Sequence, residues 1–116
     1  MKIMYRIFEI KNSYPHTLFH GVEGRRELIK NRWYMAKEKM VSDGSNGTSY
    51  LSGFHCLPTV EECRECLKIF TSERELGIYS IIARGLRKKE HSPRNVWLAK
   101  SMFIIRETGE EGGGEG

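Results

Sequence analysis

The sequence lacks any long apolar run, and no stretch approaches the roughly 20 residues that a membrane-spanning helix requires. No apolar segment follows Met1 and Lys2 as it does in a secretory signal peptide, so we expect neither a signal peptide nor a membrane partner. Cysteine is scarce: three residues in 116 are an odd number and too few for a disulfide framework. This cysteine content favours a reducing compartment, and we predict a cytoplasmic protein.

The sequence also lacks the common phosphate-binding motifs, because neither GxxxxGK[ST] nor GxGxxG occurs in it. The loop from Asp43 to Thr48 is the one candidate anion-binding nest, since its successive backbone N–H groups can converge on an anion. The same Asp-Gly and Asn-Gly pairs are typical of a plain hairpin loop. Both interpretations stay open at this point.

Acidic residues are unevenly distributed along the chain. The tail 107–116 contains four Glu and no base, whereas residues 1–106 carry 19 Lys and Arg against 11 Asp and Glu, a net charge of +8. We predict a single folded domain over 1–106 and a disordered acidic Gly/Glu tail over 107–116. A positive body attracts anions, so the expected partner is an acidic protein surface or a nucleic acid.

The bases are densest between residues 84 and 94, in a stretch that we predict to be an exposed loop between strands. Aromatic residues are frequent, and exposed rings beside Arg or Lys can stack on single-stranded bases, although most of these rings are more simply explained as core. The candidate partner-binding residues are Arg25, Arg26, Arg84, Arg87, Lys88, Lys89 and Arg94.

Alternating apolar residues predict a strand over residues 2–10, with Ile3, Tyr5 and Ile7 on one face and Met4 and Phe8 on the other. Further extended segments are predicted at 17–20, 33–41, 50–57, 78–83 and 96–105, and a turn is predicted at 12–15. One or two helical turns are predicted within 23–30. The segment 78–83 is apolar enough for a central strand.

One clear helix is predicted over 59–70. Thr59 and Glu62 have the spacing of a capping box, and Val60, Cys63 and Leu67 recur at helical intervals. We therefore predict an α+β domain, with a mainly antiparallel twisted sheet of about five strands and one main helix packed on it.

Cysteine and histidine suggest two further sites. Cys63 and Cys66 have the spacing of half a zinc site, with His55 and Cys56 upstream, but a structural zinc site needs four ligands and we predict no metal. Successive residues of a strand point to opposite faces, so the neighbours His55 and Cys56 are not expected to form a nucleophile–base pair.

Two short elements each contain a histidine beside a glycine or phenylalanine: LFHG at 18–21 and GFHC at 53–56. A helix and an apolar strand are predicted after them in the chain. With the helix 59–70 and the strand GIYSIIARGL, they resemble the core of ADP-ribosyltransferases. The resemblance implies an NAD-binding enzyme or an inactive relative, in which His20 and Gly21 hold the nicotinamide amide. It also implies that His55 stacks on the nicotinamide ring, with Tyr50 and Gly53 beside the ligand.

The stretch YLSGFHCLPTVEEC and the ending VWLAKSMFI also resemble small phage and mobile-element proteins, which often act by binding a host or viral complex. The leading hypothesis is a non-enzymatic binding protein without a cofactor, whose basic face engages an acidic protein complex or a nucleic acid. The alternative is the NAD-dependent one. The two hypotheses differ in that the enzyme requires His20 and His55 to line one cleft.

Overall fold

The computed structural model describes residues 1–17, 26–37, 39–42, 49–69, 74–90 and 92–108. Antiparallel strands dominate these ranges, and one helix interrupts them. The elements in chain order are β1 (Lys2–Lys11), β2 (Tyr14–His16), β3 (Trp33–Met35), β4 (Met40–Ser42), β5 (Ser49–Leu51), β6 (Phe54–Cys56), α1 (Val60–Leu67), β7 (Leu76–Arg84), β8 (Arg87–Lys88), β9 (Trp97–Ala99) and β10 (Ser101–Glu107).

The largest sheet has five strands in the order β2-β1-β7-β10-β3, and every neighbouring pair is antiparallel. The middle strand, β7, pairs with β1 on one side and with β10 on the other. Its residues Gly77–Ile81 are all buried, because side chains on both faces of a central strand are covered. The predicted central strand is therefore confirmed.

This sheet is curled by a corner at Gly85 and Lys100. Gly85 has a φ of 65°, a left-handed conformation that glycine adopts without a steric penalty. The Lys100 N–H donates to the Arg84 carbonyl at 2.9 Å, so the two long strands bend together. Beyond the corner they continue as β8 and β9, which join β6 in a three-stranded sheet of order β6-β9-β8.

The alternation predicted for the first strand is confirmed. Met4 and Phe8 are buried in the main core, where Phe54 and Ala99 of the small sheet also pack. The opposite face of β1 carries Tyr5 and Ile7, which pack in a second, smaller cluster beside the helix.

The helix begins where the capping box predicts. The Thr59 hydroxyl accepts a hydrogen bond from the Glu62 N–H at 3.1 Å and donates one to the Glu62 carboxylate at 2.9 Å. Cys63 is fully buried against Leu57 and Ile78. The helix has only eight residues, however, and it covers one end of the sheet. The helix is therefore shorter than the main packed helix predicted over 59–70, although the mixed α+β class holds.

Several local predictions were wrong. The turn lies at Asn12 and Ser13, which both have positive φ, and Tyr14–His16 form a strand instead of continuing the turn. No helical turn occurs in the described part of 23–30. There, Arg26 and Leu28 make backbone hydrogen bonds with Thr17 and Pro15, which hold the segment extended.

The extended segments predicted at 33–41 and 50–57 each divide into two short strands. The large sheet has the predicted number of about five strands, and the remaining strands of the described ranges form two smaller sheets. Of the strand predicted at 17–20, only Thr17 lies within the described residues, and it is outside β2. At the other end, β10 includes Glu107, and the Thr108 N–H donates to the Ile78 carbonyl at 2.7 Å. The sheet thus continues past residue 106, while 109–116 lie outside the described residues.

Within the ranges that the structure describes, no helix has the length and apolar character needed to cross a membrane.

Candidate binding surface

A row of apolar side chains crosses four strands on the same face of the large sheet as the helix. The strand registers place Ile3 of β1 opposite Ile82 of β7, Ile82 opposite Phe103 of β10, and Phe103 opposite Trp33 of β3. Directly opposite residues in antiparallel strands share a face and touch. The Trp33 and Phe103 rings accordingly lie with their centres 5.5 Å apart at an angle of 56°.

A second row lies next to the first at the corner end of the sheet. It contains Arg84, Ser101 and Met35, which are opposite one another in register. The Arg84 guanidinium carbon lies 4.0 Å from the centre of the Trp33 ring, a cation–π contact. The Arg84 Nε also donates to the Met1 Sδ at 3.3 Å, so the guanidinium is held from two sides.

The helix does not cover these two rows, in which Trp33, Ile82 and Phe103 are half-buried and Ser101 is buried. It covers Tyr5, Ile7 and Ile78 farther along the same face. Ile3 remains 48% exposed and Met35 55% exposed, although both are large apolar side chains. We name this surface the open sheet patch, and its residues are Met1, Ile3, Trp33, Met35, Ile82, Arg84 and Phe103.

The charge around the open sheet patch is positive. Arg106 is exposed and lies opposite Ser80, next to the patch on the same face. Lys100 is exposed at the corner. On β1 the nearest acid of this face is Glu9, six residues from Ile3 and therefore about 20 Å away along an extended strand.

Glu9 is itself paired with cations at the far end of the sheet. Its carboxylate accepts a hydrogen bond from Arg26 and lies 3.9 Å from Arg74. The hydrogen bond from Arg26 is the largest cause that holds the pKa of Glu9 below its usual value. Arg26 also donates to the Thr17 carbonyl, so this predicted partner-binding residue has a structural role.

The other predicted basic residues are dispersed. Arg87 donates to the carbonyls of Leu51 and Ser52 at 2.6 and 2.7 Å and so joins β8 to the β5–β6 connection. Lys88 is exposed, and Lys89 is half-buried with its N–H bonded to the Val96 carbonyl.

Arg94 lies elsewhere, at a shallow depression of about 230 Å³ beside the helix. Glu62 and Glu65 line the same depression, so its charge is not positive. Arg25 lies outside the described residues. The predicted basic loop is thus not one solvated cationic surface, and of its residues Arg84 alone belongs to the open sheet patch.

Of the residues that the ADP-ribosyltransferase resemblance implies, His55 is the one whose side chain can be placed fully. It is exposed on β6 between the buried residues Phe54 and Cys56, as the alternation predicted. A side chain at Gly53 would meet β9, because an added Cβ would lie 3.0 Å from the Ala99 carbonyl oxygen.

Tyr50 belongs to β5, but its side chain is outside the described residues, as are His20, Gly21 and the loop 43–48. The nicotinamide site and the phosphate nest therefore both remain predictions.

An arginine that the sequence analysis did not single out lies inside the domain. The Arg6 guanidinium lies over the rings of Phe8 and Phe54, at 5.3 and 5.6 Å from their centres. Its Nη1 donates to the His55 carbonyl at 2.8 Å, and its Nε is buried without a hydrogen-bond partner. Burial lowers the pKa of Arg6 to about 10, so it remains a cation at neutral pH and joins the two sheets.

The cysteines are poor nucleophiles in this environment. Burial raises the pKa of Cys56 and of Cys63 to about 12, so both are protonated thiols at neutral pH. Burial also raises the pKa of Cys66, which is half-buried. The described ranges contain no group of three or more His, Cys, Asp or Glu residues placed to hold a metal ion.

Thiol labelling checks this arrangement. Under native conditions at neutral pH, a maleimide reagent is expected to modify Cys66 alone, because Cys56 and Cys63 are buried. All three cysteines should react after denaturation. Mass spectrometry of the labelled peptides identifies the modified residue, and rapid native labelling of Cys56 would contradict the packing of β6 against the large sheet.

The sequence analysis missed Ile3, Ile82 and Phe103 as surface residues. The signal available was the alternation of β10, which places Ser101 and Phe103 on one face. That signal does not reveal which strand lies opposite, because the register depends on the whole sheet.

The comparisons with known proteins leave the surface to be interpreted from its own chemistry. No protein-family model matches the chain, and searches of curated proteins and of solved structures gave no match either.

Proposed function

We propose that this chain is a binding module that engages an anionic polymer at the open sheet patch and the cations beside it. The observation that supports the proposal most directly is Arg84, a cation held at 4.0 Å over an aromatic ring on an accessible sheet face. No acid belongs to the patch. Exposed apolar side chains next to cations mark an interaction site more specifically than net charge does.

The position of the proposed site differs from the one that the sequence favoured. In the predicted loop, Arg87 is bonded to backbone carbonyls and Arg94 lies beside two glutamates. Arg106, which was not among the candidates, is exposed next to the patch on the same face, and Lys100, which was not among them either, is exposed at the corner. We therefore assign the anion attraction to Arg84, Lys100 and Arg106.

Two matched charge variants test this assignment. The first combines Lys100→Gln with Arg106→Gln beside the patch. The second combines Lys11→Gln with Lys88→Gln, which removes the same charge from exposed positions elsewhere. The probes are fluorescently labelled poly-L-glutamate and a labelled abasic deoxyribose-phosphate strand, titrated at several salt concentrations.

The patch variant is expected to weaken binding of the abasic strand and to reduce the slope of log K against log salt by about 1.4, the value for two lost contacts to a single strand. The control variant should keep the slope of the unmodified protein. Equal losses in the two variants would place the anion site elsewhere. Absence of binding to both probes at about 50 mM salt would overturn the proposed function.

A further inference from the structure

The open sheet patch also indicates which kind of anionic polymer it fits. Resting on the proposed function, we infer that the partner is a single-stranded nucleic acid whose bases stack on the row formed by Trp33, Phe103 and Ile82. Its phosphates are then held by the neighbouring cations Arg84, Arg106 and Lys100.

The shape of the surface supports this partner. Neighbouring strands lie about 4.8 Å apart, so the row of four side chains from Ile3 to Trp33 spans roughly 14 Å. This width accommodates two or three unstacked bases laid across the strands. Sheet faces that bind single strands present aromatic side chains to successive bases in this way.

The chemistry of the surface distinguishes a single strand from other polyanions. Every base has a flat π-face that can lie on an aromatic ring, whatever the sequence. An acidic peptide offers carboxylates to the cations but nothing of matching shape for Trp33 and Phe103. A duplex keeps its bases stacked inside, so it would reach the cations and leave the apolar row without a partner.

Arg84 fits both parts of such a ligand. A guanidinium is planar and can lie between a ring and a base, and its N–H groups suit phosphate oxygens. Here it already lies over Trp33, with its Nε bonded to Met1. Met1 and Met35 are 81% and 55% exposed, and flexible thioether side chains at the edge adapt to bases of different size.

The test separates base stacking from charge. An oligothymidylate of about 8 nucleotides, within the range that single-strand sites cover, is compared with an abasic strand of equal length and with a duplex. The protein variants are Trp33→Ala and Phe103→Leu, the second of which keeps an apolar side chain and removes only the ring. The matched control is Tyr14→Ala, because Tyr14 is 49% exposed on β2 at the opposite edge of the sheet.

Trp33→Ala is expected to weaken oligothymidylate binding roughly 10-fold, the effect of losing one stacked base, and Phe103→Leu should weaken it in the same direction. In both variants the ratio of oligothymidylate affinity to abasic-strand affinity should fall, because the abasic strand has no base that could lose a stacking partner. Tyr14→Ala should bind both strands normally. In a Trp97→Phe background, where Trp33 is the sole tryptophan, oligothymidylate should quench the fluorescence and the abasic strand should not.

Two results would overturn the inference. Equal affinity for the oligothymidylate and the abasic strand, with no change in Trp33→Ala, would show an anion site without base stacking and would leave the proposed function intact. Binding of the duplex as tight as that of the single strand would also exclude stacking on the patch. Failure of every strand to bind would overturn the inference together with the proposed function.

Discussion

Replacing Phe8 with alanine is expected to lower the free energy of unfolding by about 3–5 kcal/mol, the usual cost of removing a large aromatic side chain from a core. Phe8 has no exposed surface. Its ring meets the Tyr79 ring edge-on, with centres 5.3 Å apart at 83°, and the Arg6 guanidinium lies over it. The measurement is chemical denaturation followed by circular dichroism.

The control for this prediction lies on the same strand. Ile3→Ala truncates a side chain on the opposite face that is already 48% exposed, so its expected cost is about 1 kcal/mol. Equal losses for Phe8→Ala and Ile3→Ala would contradict the assignment of the two faces of β1.

Replacing Gly85 with alanine is expected to lower the free energy of unfolding by about 2–4 kcal/mol for two separate reasons. The left-handed φ of 65° disfavours any residue with a Cβ. In addition, the new Cβ would lie 2.7 Å from the Cβ of Lys100, which is too close for two carbon atoms. The same denaturation measurement applies.

A double-mutant cycle separates these two reasons. In a Lys100→Gly background the steric contact is absent, so Gly85→Ala should then cost only about 1–2 kcal/mol, the price of the left-handed conformation. The same cost in both backgrounds would contradict the close approach of Gly85 to Lys100 at the corner. No cost in either background would contradict the left-handed conformation of Gly85.

The Gly85 corner also bears on the proposed site. Arg84 immediately precedes Gly85, and the Arg84 carbonyl accepts the hydrogen bond from Lys100. The direction of the Arg84 side chain over Trp33 thus depends on where the sheet bends. A variant that distorts the corner is therefore expected to weaken binding at the patch as well as to reduce stability.

Local patterns in the sequence determined some of the fold. The alternation of residues 2–10 identified the two faces of β1, because successive side chains of a strand point in opposite directions. The capping box at Thr59 and Glu62 located the start of the helix, because it consists of contacts within four residues. The apolar run 78–83 identified the central strand.

The tertiary structure decided the bends and the strand boundaries. The segment 50–57 was predicted as one extended segment weakened or bulged at Gly53, yet it divides into two strands at Ser52 and Gly53. There Arg87 bonds to backbone carbonyls 35 and 36 residues earlier in the chain. The helix ended earlier than its periodicity predicted, and β2 formed where a turn was expected, through pairing with β1. Such contacts are distant in sequence, so no local pattern reports them.

The same distinction applies to the candidate site. The sequence by itself showed a positive chain with aromatic residues, and the anionic partner inferred from it is a prediction. The strand register decided which side chains of the patch lie next to one another. Four separate strands contribute Ile3, Ile82, Phe103 and Trp33. A shift of one residue in any pairing would turn a side chain to the other face, so the open sheet patch exists only in the assembled sheet.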